Sequence, residues 1–355
     1  MRRPSHPTSP TFFAVACTVS LLAACGSAAD GNGGDAGGSA GDGSAATDDT
    51  GEATYPVTVD NCGTTVEFTA PPERIVTIKS TSTELLLALG VSDRIVGQAF
   101  QDGPVPEQWA DDAADIPTIS DSAPGQETVL ELEPDLVLAG WESNLAADTA
   151  GERDLLARLG VNSYVSPAAC QEEAYRPDPL TFEVLFAQFE EAGQILGVPD
   201  AATDLVAQQR AELAQVQPLE PGTTALWWSS GGDTPYVGGG IGAPQMVMDA
   251  VGLENVAGDL DQTWSSLSWE AIIDADPDVF VLVDAAWNTA DSKIEFLEST
   301  PATSELTAVR EDRYLVLPFP ASEAGVRSVP AVTELAAGLR DLGLGGDDAS
   351  DGAGD

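Results

Sequence analysis

Glu127-Thr-Val-Leu-Glu-Leu-Glu-Pro134-Asp135-Leu-Val-Leu138 returns later in the chain as Glu270-Ala-Ile-Ile-Asp-Ala-Asp-Pro277-Asp278-Val-Phe-Val281. Both fit the pattern E-x-x-[LI]-x-x-x-P-D-[LV]-[VF]-[LV]. The Glu, the Pro and the Asp are each repeated 143 residues on. In each copy the Glu opens a short helical run, Pro-Asp ends it, and a buried-type strand follows. Two halves built alike predict two similar lobes with a cleft between them.

The flanking sequence repeats a β-α order. Tyr55 to Phe68 alternates as a hairpin, with Asn61-Cys62-Gly63 as its turn. Arg74 to Ile78 reads as a strand. Glu84 to Gly90 reads as a helix that a preceding Ser or Thr would cap and Gly90 would end. Asp93 to Gly97 is the next strand, followed by the Glu127 unit, a helix over 152–159 and a strand over 163–165. This is the signature of a parallel sheet covered by helices. Phe182, Leu185, Phe186, Phe189 and Leu196 then fall at helical spacing. Gly197-Val198-Pro199 breaks that helix, and Asp200 is placed to cap another from about Ala201 to Val216. That second helix would span roughly 25 Å, enough to run from one lobe to the other. The second lobe repeats the scheme, with strands at 225–228, 279–283 and 314–317 and helices at 245–252, 270–276, 294–297 and 330–339.

The ends of the chain differ in composition. Arg2 and Arg3 precede an apolar run from Phe12 to Leu22, too short to span a bilayer, so residues 1–24 read as a signal peptide. Residues 25–53 are almost all small or polar and predict a disordered tether. The expected bodies are an N-terminal lobe over 54–180, bridging helices over 181–217, a C-terminal lobe over 218–342 and a flexible tail over 343–355.

The 355 residues carry 14 Lys+Arg against 58 Asp+Glu, formally −44. Such an anionic surface excludes nucleic acid as a partner and agrees with a solvated acidic shell. Cleavage after residue 24 removes Arg2, Arg3 and no acid, taking the charge to −46. The single His, His6, lies in the leader, so the exported chain has no His-based metal site and no Ser-His or Cys-His catalytic set. Paired acids such as Asp274 and Asp276 could serve an exported enzyme, but read better as solvated helix-end charges. No enzyme activity, metal or cofactor is expected. Of four Cys, Cys17 and Cys25 fall at the leader and its end. Cys62 and Cys170 remain as an even pair in an oxidising compartment, expected to form a disulfide; two buried free thiols are the alternative.

Ligands of open α/β sheets sit beyond the carboxyl ends of the strands. That rule selects Lys79, Ser80, Thr81 and Ser82 after the first strand, where helix-start N–H groups and one of only two lysines suit an anion. An ordinary surface lysine is the other reading of Lys79. Phe100, Trp141, Trp227, Tyr236 and Trp287 place rings at strand ends in both lobes, suited to a planar ligand. Of Trp227 and Trp228 one is expected to face inward, since neighbours on a strand point oppositely. Arg327 is a second candidate anion contact. Gly238-Gly239-Gly240 matches no phosphate-loop spacing.

Leu22-Ala23-Ala24-Cys25 resembles the lipobox of bacterial lipoproteins. That resemblance implies cleavage before Cys25, a diacylglycerol on its sulfur, and a protein held at the outer face of the cell membrane. With it, Arg74-Ile-Val, Thr83-Glu84, Leu89-Gly90, both Glu…Pro-Asp units and the Tyr314 strand with its helix resemble a family over about residues 55–342. The family is the substrate-binding proteins of ABC importers for iron-siderophores, haem and cobalamin. It implies two Rossmann-like lobes joined by a rigid helix, with the ligand cleft between them, as in class III periplasmic binding proteins. It also implies a small-molecule ligand, a monomer, and as partner a permease dimer with its ATPase, docked through Glu127 and Glu270. Acids at helix starts are also favoured by the helix dipole alone. Thr77 to Glu84, Gln101 to Trp109, Gly140 to Asn144 and Pro235 to Gly240 resemble most closely an actinobacterial branch, for which the proposed ligand is the phospholactyl deazaflavin precursor of coenzyme F-420. A ferric siderophore, haem or cobalamin remains the alternative within the class.

Overall fold

The two Pro-Asp pairs do the same work at the feet of two sheets. Asp135 accepts the backbone N–H of Glu73 at 2.8 Å and of Arg74 at 3.0 Å, where one central strand begins. Asp278 accepts the N–H and the hydroxyl of Thr224, both at 2.9 Å, where the other begins. Their own N–H groups return the bond, Asp135 to the Arg74 carbonyl and Asp278 to that of Thr224. Even the turn before each proline matches: Glu133 and Asp276 both take positive φ, 47° and 43°. The repeat is therefore a device for pinning one parallel strand to the next.

The computed structural model describes residues 53–344. The expected leader, Cys25, nearly all of the tether and the tail beyond Leu344 lie outside the described residues. A hairpin of β1 (Val57–Asn61) and β2 (Thr64–Phe68) comes first, its Cys62-Gly63 turn at φ 50° and 77°. Then follow β3 (Ile75–Ile78), α1 (Ser80–Ala88), β4 (Ile95–Ala99), α2 (Ala110–Ala113), β5 (Thr118–Ser120), α3 (Gln126–Leu130), β6 (Leu136–Ala139), α4 (Arg153–Arg158) and β7 (Asn162–Val165). They form a parallel five-stranded sheet in the order β5-β4-β3-β6-β7.

α5 (Phe182–Leu196) and α6 (Pro199–Leu213) lead to the second lobe. Thr181 caps α5 and left-handed Gly197 ends it. α6 starts at Pro199, one turn position before the expected Asp200 cap. α5 itself straddles the halves. Phe182, Leu185, Phe186 and Phe189 pack into the core of the second lobe, and Ala192, Ile195 and Leu196 into that of the first. At about 1.5 Å per residue its 15 residues cover roughly 22 Å.

The second lobe contains β8 (Thr224–Ser230), β9 (Tyr236–Gly238), α7 (Ala243–Val251), β10 (Glu254–Asn255), β11 (Trp264–Ser266), α8 (Trp269–Ala275), β12 (Val279–Asp284), α9 (Ala290–Ser299), α10 (Thr307–Arg310), β13 (Tyr314–Pro318) and α11 (Ser328–Asp341). Its sheet runs β11-β9-β8-β12-β13, with β10 beside the start of β8. It does not simply repeat the first. β9 and β11 are antiparallel insertions that bring Tyr236 and Trp264 to its far edge.

Both sheets are covered on both faces, so the strand interiors are apolar on both sides. Ala225, Trp227, Val279, Val281 and Leu317 serve one face of the second sheet, and Leu226, Trp228, Phe280 and Leu282 the other. This corrects the expectation for the tryptophan pair. Trp227 and Trp228 do point oppositely, but each meets a helical layer and both are core. Removing the Asp278 carboxylate leaves the first N–H of β8 without its acceptor; Asp278→Ala is expected to lower unfolding stability by about 1–3 kcal/mol in urea titration. An unchanged midpoint would refute the pinning role.

Candidate functional site

The carboxyl ends of the two parallel strand sets face a single cavity of about 530 Å³. Gly140 and Trp141 follow β6, Ser166 follows β7, Ser229 and Ser230 end β8, Trp287 follows β12, and Phe319 and Glu323 follow β13. The cavity therefore lies where chain topology puts the ends of the strands of both lobes. Its size suits a small-molecule ligand.

Five rings line it. Trp141 comes from the first lobe; Tyr236, Trp264, Trp287 and Phe319 come from the second. Tyr236 stacks on Trp264 at 6.1 Å and 14° between planes. Trp287 meets Phe319 edge-on at 5.8 Å and is itself 65% exposed. An indole left that open in the mouth of a cavity offers a flat apolar face to a ligand.

Of the residues expected from sequence, Thr81, Trp141, Tyr236 and Trp287 line the cavity. The others stand elsewhere. Lys79 is not an open cation. It is 1% exposed, pairs with Asp102, and holds its ammonium 3.6 Å from the ring centre of Trp141 and 4.3 Å from that of Phe100. The first helix starts at Ser80, not at Glu84, and Lys79 sits before it at φ 81° and ψ 150°, a conformation that only glycine adopts freely. Gly140 makes room for it: a Cβ there would lie 2.7 Å from the Lys79 Cβ. Ser80 is occupied by Asp102, whose N–H it accepts at 2.8 Å. Ser82 is buried and faces a smaller cavity against α5. Phe100 backs Trp141 edge-on at 5.6 Å without lining the cavity. Trp227 lies in the core. Arg327 is bound to Glu84 of the first lobe through two nitrogens, the Nε bond at 2.7 Å, and donates to the Pro104 carbonyl at 2.8 Å.

Sequence reasoning missed Trp264, Phe319, Glu323 and Arg176. The strand-end rule would have selected Phe319, the residue after β13. Arg176 had no such signal, because it sits on an irregular loop after Cys170. It is the only lysine or arginine among the described residues lining the cavity.

The base of the cleft is crowded with acids. Glu323 accepts the Trp141 indole N–H at 2.5 Å across the lobe boundary. Burial pushes the carboxyls of Glu84, Asp102 and Glu323 above their ordinary range, opposed by Arg327 for Glu84 and by Lys79 for the other two. Cys62 and Cys170 are joined, with Cα atoms 5.3 Å apart. Among the described residues no cluster of three or more His, Cys, Asp or Glu is arranged to hold a metal, and no helix is long and apolar enough to cross a membrane.

Residues 75–321, from β3 to just past β13, match the family described as periplasmic binding protein. The chain belongs to the periplasmic binding protein family. It is a binding protein and not an enzyme, and its fold is that of two α/β lobes with the ligand cleft between them. Bacillus subtilis YvrC, an uncharacterized ABC transporter substrate-binding lipoprotein, is 26% identical over 296 residues, 79% of this chain and 85% of that protein. A cobalamin-binding protein of Halobacterium salinarum is 28% identical over 242 residues, 64% of this chain and 58% of the relative. Among solved structures, a periplasmic binding protein from Veillonella parvula superposes with TM-score 0.71 at 25% identity, covering 82% of this chain and 98% of that one. An ABC-type Fe3+-hydroxamate transport system structure from Saccharomonospora viridis gives 0.69 at 28%, covering 81% and 99%.

Three buried carboxyls with raised pKa bind protons more tightly folded than unfolded. Their contribution to stability is full below the unfolded carboxylate pKa and is lost as pH rises through the folded one. The urea midpoint of this periplasmic binding protein is therefore expected to rise as pH falls from neutrality toward the ordinary carboxylate pKa. Glu323→Gln should shrink that rise; a midpoint that falls over the same interval would contradict the burial of these acids.

Proposed function

We propose that the protein is the extracytoplasmic substrate-binding component of an ABC importer and delivers a planar anionic small molecule to a membrane permease. The observation that carries this reading is the ring-lined cavity shared by both lobes, with Trp141 on one side and Tyr236, Trp264 and Trp287 on the other. Paired aromatic walls select a flat ligand by stacking and exclude water from its faces. The names of YvrC and of the Saccharomonospora viridis structure support the importer. The phospholactyl deazaflavin precursor of coenzyme F-420 has the required shape and charge: a fused tricycle with an anionic arm.

Cobalamin is the second reading. It is favoured by the Halobacterium salinarum relative and by Ser143, Ser166, Ser229, Ser230, Gln171 and Gln262 around the cavity, which suit a rim of amides. Haem fits less well. Its iron needs His, Cys, Met or Tyr. The described Cys pair is bridged and Met246 and Met248 are core, which leaves Tyr236. Burial and the nearby Glu323 push the Tyr236 phenol up, away from the phenolate a ferric ion would take.

Glu127 and Glu270, both exposed in the first turns of α3 and α8, are the proposed docking points for arginines of the permease dimer. Diacylglycerol on Cys25 would hold this monomer at the outer membrane face.

Titrating the deazaflavin precursor, cobalamin and a ferric hydroxamate separately should quench tryptophan fluorescence most tightly with the deazaflavin. Tight binding of either other compound with no deazaflavin response would reverse the ligand assignment. In reconstituted vesicles, Glu127→Ala with Glu270→Ala is expected to cut uptake by at least about tenfold with ligand affinity unchanged. Uptake at the wild-type rate would remove the docking role.

A further inference from the structure

The cavity carries its positive charge on a loop with no secondary structure to hold it, and the hairpin outside the matched family region holds that loop. The segment from Cys170 to Leu180 contributes Cys170, Gln171 and Arg176 to the lining. Its first residue is bonded to Cys62 at the hairpin tip. The next residue of that tip, Gly63, cups Tyr175: a Cβ on Gly63 would stand 2.8 Å from the tyrosine ring. Tyr175 and Arg176 both donate their backbone N–H to the Glu172 carbonyl, at 2.9 and 3.0 Å, closing a turn directly before the guanidinium. The far end is tied to the second lobe by the Leu180 N–H on the Ile241 carbonyl at 3.0 Å.

The hairpin tip is itself fixed. Asn61 accepts the Val165 N–H and donates to the Val165 carbonyl, both at 2.8 Å, and Arg153 bonds both the Asn61 carbonyl and its side-chain oxygen. Arg153 is thus an arginine used up by the fold. Arg176 is the opposite case. Its Nε is buried without a hydrogen-bond partner among the described residues, and no carboxylate pairs with it there. Arg176 lines the cavity, so an anion that enters it supplies acceptors that the guanidinium lacks among the described residues. Lys79, the cation closest to the strand ends, is already neutralised by Asp102.

We infer that Arg176 is the residue that recognises the ligand's anionic group, a carboxylate or a phosphate, and that the Cys62–Cys170 bridge is the device that positions it. This rests on the planar-anion reading above and assigns its charge recognition. The bridge makes recognition of the anion redox-dependent. An added dithiol reductant supplies two electrons and two protons, is itself oxidised to a cyclic disulfide, and converts the Cys62–Cys170 bridge to two thiols, freeing the loop from the hairpin.

The test uses riboflavin and its 5′-phosphate, flavin mononucleotide, which share a tricyclic ring and differ by one phosphate, titrated calorimetrically into the oxidised full chain. The wild type is expected to prefer the phosphate ester by about tenfold or more, the range of a charge-assisted hydrogen bond. Arg176→Gln should abolish that preference, weakening flavin mononucleotide about tenfold more than riboflavin; Arg176→Lys should restore part of it. Reduction, or Cys62→Ser with Cys170→Ser, should shrink the same preference while the ring still binds. A preference that survives Arg176→Gln, or wild-type affinities that are equal, would overturn the assignment and leave the planar-cargo reading standing. A preference unchanged by reduction would overturn the positioning role of the bridge. Failure of both flavins to bind the wild type would instead refute the planar-anion reading on which the inference rests.

Discussion

Glu84 and Arg327 meet across the lobe boundary, one from each lobe, and neither can leave the other cheaply. Glu84 is almost fully enclosed, and its carboxylate has the two guanidinium nitrogens as its charge partner. A buried ion pair adds little net stability over an apolar substitute, but separating it strands two charges in a poor dielectric. The pair therefore acts as a geometric constraint more than as a source of stability. With α5 packed into both cores, it sets how far apart the ring-bearing strand ends stand. The Trp141–Glu323 bond spans the same boundary closer to the ligand. The cleft thus has a fixed base and an open mouth, and the exposed Trp287 stands at that mouth.

Charge in the cleft is local, not a reflection of the whole surface. The chain is strongly acidic, which repels an anion at long range, yet at physiological salt such repulsion is screened within about 8 Å. What a ligand meets inside is a mixed set. Lys79 faces Asp102 and Glu323, so one cation is shared between two acids at the floor. Arg176 stands apart on the disulfide-held loop. A ligand with donors at one end and an anion at the other matches this polarity.

The repeated Glu…Pro-Asp unit made the two-lobe plan readable, because it encodes a local event: a short helix, a stop, and a strand pinned by its aspartate. The hairpin turn at Cys62-Gly63 and the bridging helices were legible for the same reason, since their signals lie within a few residues of one another. The lining of the cavity was legible only in part. Rings after β6 and β12 were found from the strand-end rule. Trp227 misled, because strand alternation says which face a residue takes and not whether that face is covered. Lys79 misled through its partner Asp102, 23 residues away and invisible to any local pattern. Arg327 misled in the same way, its partner lying 243 residues away. Trp264 and Arg176 reached the cavity through an antiparallel insertion and a disulfide-held loop, two features that periodicity does not report.

In the proposed function, rings of both lobes close on one flat ligand. A crystal structure of the protein carrying the cargo it retains from its own cells tests this directly. A planar molecule is expected between Trp141 and the Tyr236–Trp264–Trp287 wall, in contact with both lobes. A ligand held by one lobe alone, or seated away from these rings, would contradict it.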